Sequence, residues 1–546
     1  MTTPSPPQEQ RTAGTTTLYR GGHIYGSGDP CARALVVADN QIAWIGSEQG
    51  AAGHADGVDE VVDLHGALVT PTFVDAHVHT SATGLGLRSV DLTGALSLNQ
   101  GLEKIQEAAR KQAGRPVYAP NWDEQDWPEH RPPSSRELDR ATYGGVVYSP
   151  RVDGHSAVIS SALAAASGAR NHPGWHDSGL VTREAHHAAR DAFYSGISAA
   201  QRRADIDAAL LAAAAAGIGL VHENGGPTLS SESDFADVLA AGRRGHGPEV
   251  IGYWAELVGD QESARALAAR MGAAGLAGDL NIDGSIGSRT AALREPYADG
   301  PPAPGGQDHL DNDLSGQTYL SVEQVRDHVA ACSLAGIQAG FHVIGDAGAD
   351  AVIAGFQAAA GQVGVAKVVA ARHRLEHLEM VDLDAILALV ELGVTASVQP
   401  AFHRLWGGPH GMYATRLGRE RATGMNPFAT MHAAGLWLAL GSDTPVTPFA
   451  PWAAIRDCVN HHEPSQRISL ESAFRAHTRG GWRAAGIENR GFLDVGQPAS
   501  FALWSLEAHS ASGGADLPDL SPGATLPINL RTVIGGRTVF DLEGVS

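Results

Sequence analysis

Apolar and polar positions along this chain follow two different rules. From about Thr16 to Val69, short strand-like runs alternate with turn signals. The runs are Thr17–Arg20, Ala34–Val37, Gln41–Ile45 and Glu60–Leu64, divided by turns such as Gly26–Pro30 and Ala38–Asn40. Runs of the same kind return near the other end, at Ser500–Ser505 and Leu530–Phe540. The simplest arrangement pairs the two ends into one small β-domain and makes the middle an insertion.

The middle repeats a strand-then-helix rhythm. Strand-sized apolar runs at Gly217–His222, Gly336–His342, Val394–Gln399 and Leu436–Gly441 alternate with helically spaced stretches. Those stretches are Ala204–Ala216, Val322–Ala335, Asp382–Leu392 and Pro451–Asn460. Alternating βα units imply a parallel sheet, and this many of them predict a closed α/β barrel of the (β/α)8 type. A doubly wound open sheet is the alternative. It requires a glycine-rich phosphate loop after an early strand, and neither GxGxxG nor GxxxxGK[ST] stands in such a context.

Composition narrows the partners. At 546 residues the chain has room for a large catalytic domain and a smaller accessory one. A formal charge of −21 argues against nucleic acid, whose phosphates need clustered Lys and Arg, and against an anionic membrane surface. Cys31, Cys332 and Cys458 are far apart and odd in number, which predicts free thiols in a reducing compartment. Met1–Gly14, rich in Pro, Thr, Ser and Gln without an apolar core, reads as a disordered tail and not a signal peptide. No stretch is long and apolar enough to span a bilayer. A cytoplasmic protein acting on a small molecule is expected, with a homodimer the default assembly because closed pairs are the commonest.

The chemistry lies where the predicted strands end. In order, those ends carry His77 and His79, Glu223, His342, His377 and Asp443. On a strand, residues i and i+2 share a face, so His77 and His79 can grip one ion together. An HxH pair alone is weak, but this one closes the run Thr70-Pro71-Thr72-Phe73-Val74-Asp75-Ala76. His342 follows Gly340-Phe341, His377 closes Arg374-Leu375-Glu376, and Asp443 stands in Gly441-Ser442-Asp443-Thr444-Pro445. Singly, each is an ordinary buried or turn residue. Together, at successive strand ends, they are most economically explained as a metal site.

Three stretches resemble the amidohydrolase superfamily: the His77/His79 motif, the later His342 and His377, and Gly-Ser-Asp443. Further segments resemble its branch that includes N-substituted formamide deformylases (amidohydrolase family 3). These are Asp153-Gly154-His155-Ser156-Ala157, the Asp283-Gly284-Ser285-Ile286-Gly287-Ser288-Arg289-Thr290-Ala291 run, Ser397-Val398-Gln399-Pro400 and Gly491-Phe492-Leu493-Asp494-Val495-Gly496. The resemblance implies a (β/α)8 barrel over residues 71–487, beside a β-sandwich composed of residues 15–70 and 488–546. It implies metal ligands at His77, His79, His342 and His377, and an Asp443 that binds metal and serves as general base. Zinc, as one or two ions, is the expected cofactor, because it acidifies its water and polarises a carbonyl.

One position departs from that pattern. Many relatives have a Lys four residues before the Asp-Gly that corresponds to Asp283-Gly284, and its carbamate bridges two metals; here the residue is Asp279. A short Asp side chain is not expected to span the same pair of ions. Glu223, from a neighbouring strand, is the favoured replacement ligand, and a single-ion site is the other option. His155 and Arg289 are candidates to orient a substrate carbonyl or carboxylate, against loop-stabilising and ion-pair roles. Trp122, near Trp127 in an irregular segment, is a candidate wall for an apolar substrate portion, against ordinary packing. The expected reaction is hydrolysis of an amide- or formamide-type carbon–nitrogen bond by metal-activated water. Deamination at one metal, with Glu223 or Glu376 shuttling protons, and a catalytically silent binding scaffold are the competing readings.

Overall fold

The computed structural model describes residues 15–26, 28–111, 114–124, 127–151, 156–227, 229–287, 289–300, 314–505 and 517–542. The amino-terminal segment read as a tail and the substrate candidate His155 lie outside these residues.

The strand–helix rhythm resolves into an eight-stranded parallel sheet whose strands neighbour one another in chain order. They are β1 (Phe73–Val78), β2 (Ile218–Gly225), β3 (Glu249–Trp254), β4 (Gly275–Leu276), β5 (Gln338–Val343), β6 (Arg374–His377), β7 (Thr395–Val398) and β8 (Trp437–Leu440). Every residue of β1 and β2 is buried, as expected of strands covered on both faces. Just past β8, the chain closes on β1. The Asp443 N–H donates to the His77 carbonyl at 2.9 Å, and the His79 N–H to the Thr444 carbonyl at 3.0 Å. The fold is therefore a (β/α)8 barrel, and residues of the candidate site make its closing hydrogen bonds.

Helices pack outside by burying one stripe each. The helix Val322–Ala335 begins with a Ser321/Gln324 capping box, which satisfies otherwise orphaned N–H groups, and buries Val325, Val329 and Cys332 on its inner side. In the next helix, Asp346–Val363, Phe356 is fully buried, edge-on to Phe341 of β5 and to His373 at centroid distances of 6.1 and 5.5 Å. Removing that ring leaves a cavity its rigid neighbours cannot fill. Phe356→Ala is expected to cost about 3–5 kcal/mol, read as a lowered midpoint of chemical unfolding.

The two chain ends meet. One sheet orders its strands Gln41–Gly46, Ala34–Ala38, Thr17–Arg20, Glu60–Asp63; another runs His23–Ile24, Leu68–Pro71, Phe501–Ser505, Ile528–Ile534, Arg537–Asp541. Tyr19, Leu35, Val37 and Val62 from the first share one apolar core with Val69, Phe501, Leu503 and Val533 from the second. The run Leu530–Phe540, read above as one strand, is a hairpin. Gly535 and Gly536 have φ of 53° and 76°, the paired left-handed geometry a two-residue turn needs.

Residues 81–209 pack as a second unit, which the alternation pattern did not separate from the barrel. It has its own four-stranded sheet, Leu180–Val181, Ala157–Ile159, Val147–Pro150 and Val117–Tyr118. Among the described residues no single helix is long and apolar enough to cross a membrane. Cys332 and Cys458 are buried, as small apolar residues would be, whereas Cys31 is exposed; all three are free thiols.

Candidate metal centre

Each candidate ligand leaves the C-terminal end of a barrel strand, the face where such barrels place their chemistry. His77 and His79 come from β1 and the residue just past it, His342 from β5 and His377 from the last position of β6. Asp279 lies beyond β4 and Asp443 beyond β8. Asp279 Oδ2 is 3.4 Å from His77 Nε2 and 3.1 Å from His79 Nε2. Asp443 Oδ1 is 3.5 and 3.2 Å from the same two nitrogens. The second Asp279 oxygen, Oδ1, is 3.5 Å from both His342 Nδ1 and His377 Nε2.

These spacings fit a divalent metal. Donors at 2.0–2.1 Å from a tetrahedral ion stand about 3.3–3.4 Å apart, in the middle of the observed range. His77, His79, Asp443 and one Asp279 oxygen make a four-donor set; His342, His377 and the other Asp279 oxygen make a three-donor set with room for a further ligand. Buried His77 Nε2 and Asp279 Oδ1 have no hydrogen-bond partner, a cost that coordination removes.

The outer nitrogens support the same reading. His77 Nδ1 faces Glu376 Oε2 at 3.0 Å, His79 Nδ1 the Asn224 carbonyl at 2.9 Å, and His377 Nδ1 the Gln399 Oε1 at 2.8 Å. His342 reverses its ring, with Nε2 3.3 Å from the Gly284 carbonyl. An oxygen at each outer nitrogen holds the ring proton there and leaves the inner lone pair aimed at the centre.

Charge points the same way. Burial opposes protonation of His77, but Asp279 and Asp443 outweigh it and push its pKa up to about 10. His79 is raised well above its ordinary value by the same two carboxylates against the same burial. Burial would raise Asp279, yet His77, His342 and His377 hold it well below the usual carboxylate range. A cluster that draws protons this strongly needs positive charge, and a divalent ion provides it while releasing those protons.

Local backbone strain completes the placement. His377 and Asp443 have left-handed φ of 70° and 56°, conformations that cost about 1–3 kcal/mol each and collect at functional sites. Along a strand, His377 would face away from Glu376; the left-handed turn at its end brings it back to the centre. Below the loop, buried Asp75 accepts from the Ser442 N–H at 2.8 Å and anchors the segment carrying Asp443.

The carboxylate between the histidine pairs is Asp279, which corrects the expectation favouring Glu223. Glu223 is buried, and its Oε2 accepts the Thr80 N–H at 2.9 Å, at the start of the helix that follows the HxH motif; burial raises its pKa. It belongs to neither of the two compact ligand groups, His77–His79–Asp443 and His77–Asp279–His377. Side-chain length does not by itself set the reach of residue 279, because the backbone before it bends. β4 ends at Leu276, and Gly278 takes a φ of 98°, with no room for a Cβ, which would lie 2.7 Å from Asn224 Oδ1. With that bend just before it, Asp279 reaches both histidine pairs from its own short side chain.

The substrate candidates are placed differently. Arg289 forms a two-pronged ion pair with Asp299, at 3.1 and 2.6 Å, and Asp299 also pairs with Arg416. Trp122 is 1% exposed and donates its indole N–H to the Ser149 carbonyl at 2.8 Å, packed beside Trp127 in the core of the second unit. From the sequence, Arg374 had no role, Gln399 stood only within a family-like motif, and Glu376 had only a proton-shuttle role. The signal for the first and third was present: two opposite charges at i and i+2 of a strand share one face, so in a barrel strand they are placed to pair.

A (β/α)8 barrel with four histidines and two carboxylates converging at its strand ends defines a metal-dependent hydrolase. The chain belongs to the amidohydrolase family, whose profile matches residues 60–540. It is 26% identical to the putative amidohydrolase YtcJ of Bacillus subtilis, over 96% of this chain and 99% of that protein. It is 24% identical to the N-substituted formamide deformylase of Arthrobacter pascens, over 94% of this chain and 96% of the relative. Among solved structures, an uncharacterized metal-dependent hydrolase from Pyrococcus furiosus superposes with a TM-score of 0.73 at 24% identity, covering 89% of this chain and 98% of that one.

Proposed function

We propose that this amidohydrolase cleaves a non-peptide carbon–nitrogen bond, an amide or formamide of a small molecule, with zinc held by the ligands above. The observation that carries the reading is Asp443: its Oδ1 lies within 3.5 Å of Nε2 of both His77 and His79, at the strand ends where such barrels place their chemistry. A bound divalent ion supplies Lewis acidity, polarising the carbonyl and lowering the pKa of water. Asp443 takes a proton from the attacking water and returns one to the departing nitrogen. The balance is R–CO–NH–R′ plus water giving R–COOH and R′–NH2. Glu376, which ring deamination would recruit as a shuttle, has one oxygen on Arg374 and the other on both Arg374 and His77. That engagement favours acyl cleavage. The formal charge of −21 weighs against nucleic-acid and anionic-membrane partners, the three free cysteines favour a cytoplasmic site of action, and a homodimer is the proposed assembly.

The test is a panel of N-alkyl and N-aryl formamides and acetamides beside amino-substituted heterocycles, with zinc-loaded protein and released amine or ammonia as the readout. Amine release from the acyl compounds, abolished by a chelator and restored by zinc, is expected. Ammonia from the heterocycles with no acyl cleavage would reject the proposal.

A further inference from the structure

Inside the barrel, one layer below the ligands, lies an ion pair that the hydrolytic scheme does not use. Arg374 and Glu376 on β6 are both 0% exposed. The guanidinium donates Nε to Glu376 Oε1 at 2.5 Å and Nη2 to Oε2 at 2.9 Å. It also donates to the Ala76 carbonyl at 2.6 Å, to Ser397 Oγ at 3.2 Å and to His222 Nδ1 at 3.0 Å, and it lies 4.4 Å above the Tyr253 ring.

Stability alone does not account for this arrangement. Taking both charges out of water costs about what their attraction returns, and well-packed apolar residues commonly do as well or better in such positions. The network's contacts instead converge on one residue. Glu376 Oε2 faces His77 Nδ1, while Arg374 holds the carbonyl of Ala76, the residue before His77. Of the four ligand histidines, His77 has a carboxylate at its outer nitrogen; the others face a backbone carbonyl or an amide oxygen. His77 Nε2 also belongs to both compact ligand groups.

We propose that Arg374 and Glu376 are positioning residues for the metal centre: Arg374 fixes the Glu376 carboxylate, and Glu376 holds the proton on His77 Nδ1 so that Nε2 presents its lone pair to the metal. A charged acceptor also makes that imidazole a stronger donor than its three neighbours. The inference rests on the metal reading above and adds to it the residues that orient its central ligand.

The decisive variant is Arg374→Met/Glu376→Leu, which replaces the ion pair by apolar side chains of similar size. Zinc affinity is measured by competition with a chromophoric chelator, alongside the melting temperature of the chelator-treated protein. The expected result is a 10–100-fold weaker zinc affinity with an unchanged or higher metal-free melting temperature. Should the double variant not fold, Glu376→Gln serves, because its amide cannot accept from His77 and from both arginine prongs at once. Zinc affinity equal to wild type, or a loss only in step with a lowered metal-free melting temperature, overturns the proposal. Wild-type protein that binds no zinc overturns the metal reading itself, a different and separately visible outcome.

Discussion

Asp443→Asn is expected to lower turnover by about 10²–10⁴-fold, the range for removing a positioned acid–base group, while the fold stays intact. The two side chains are nearly isosteric, and asparagine tolerates the left-handed backbone that residue 443 adopts at φ 56°. The N–H that closes the barrel on the His77 carbonyl is a main-chain group and survives the change. What is lost is the ability to take a proton from water. Zinc per chain and kcat should be measured on the same preparation. A loss of kcat with metal largely retained supports the assigned role, and turnover within tenfold of wild type sinks it.

The second large effect concerns the other carboxylate. Asp279→Asn is expected to remove most bound metal after dialysis, whereas Glu223→Gln retains it. Asp279 offers one oxygen to His77 and His79 and the other to His342 and His377, so its loss weakens both donor sets together. An amide keeps the shape but has no charge to offset an ion and only one oxygen to offer. Glu223 meets the Thr80 N–H instead, and a glutamine oxygen can accept that bond equally well. Elemental analysis of the two variants beside wild type decides the point. If Glu223→Gln loses more metal than Asp279→Asn, the bridging role passes to Glu223.

Much of this was legible before folding was considered. His77, His79, His342, His377 and Asp443 were each predicted at a strand end, because a barrel's repeating unit places strand ends in one ring. The other functional side chains were harder to read for separate reasons. Asp279 was judged by side-chain length alone, which says nothing of where the chain around Gly278 places its backbone. Arg374 and Glu376 were hidden because a charged pair in a strand has no reading until its burial is known. The compact unit over residues 81–209 was missed because strands of two to four residues leave little periodicity to detect.

By itself, then, the sequence determined the barrel, the pairing of its two ends and the family, and it put His77, His79, His342, His377 and Asp443 at strand ends. The barrel and the strand-end positions follow from periodicity and spacing, which are local properties of a chain; the family follows from the resemblance of its motifs. Only the tertiary structure decided which carboxylate stands between the histidine pairs, which nitrogen of each ring faces inward and what holds it there. Those depend on contacts between strands far apart in sequence, such as the 299 positions separating His77 from Glu376. No local pattern encodes them; the closure of the barrel brings them together.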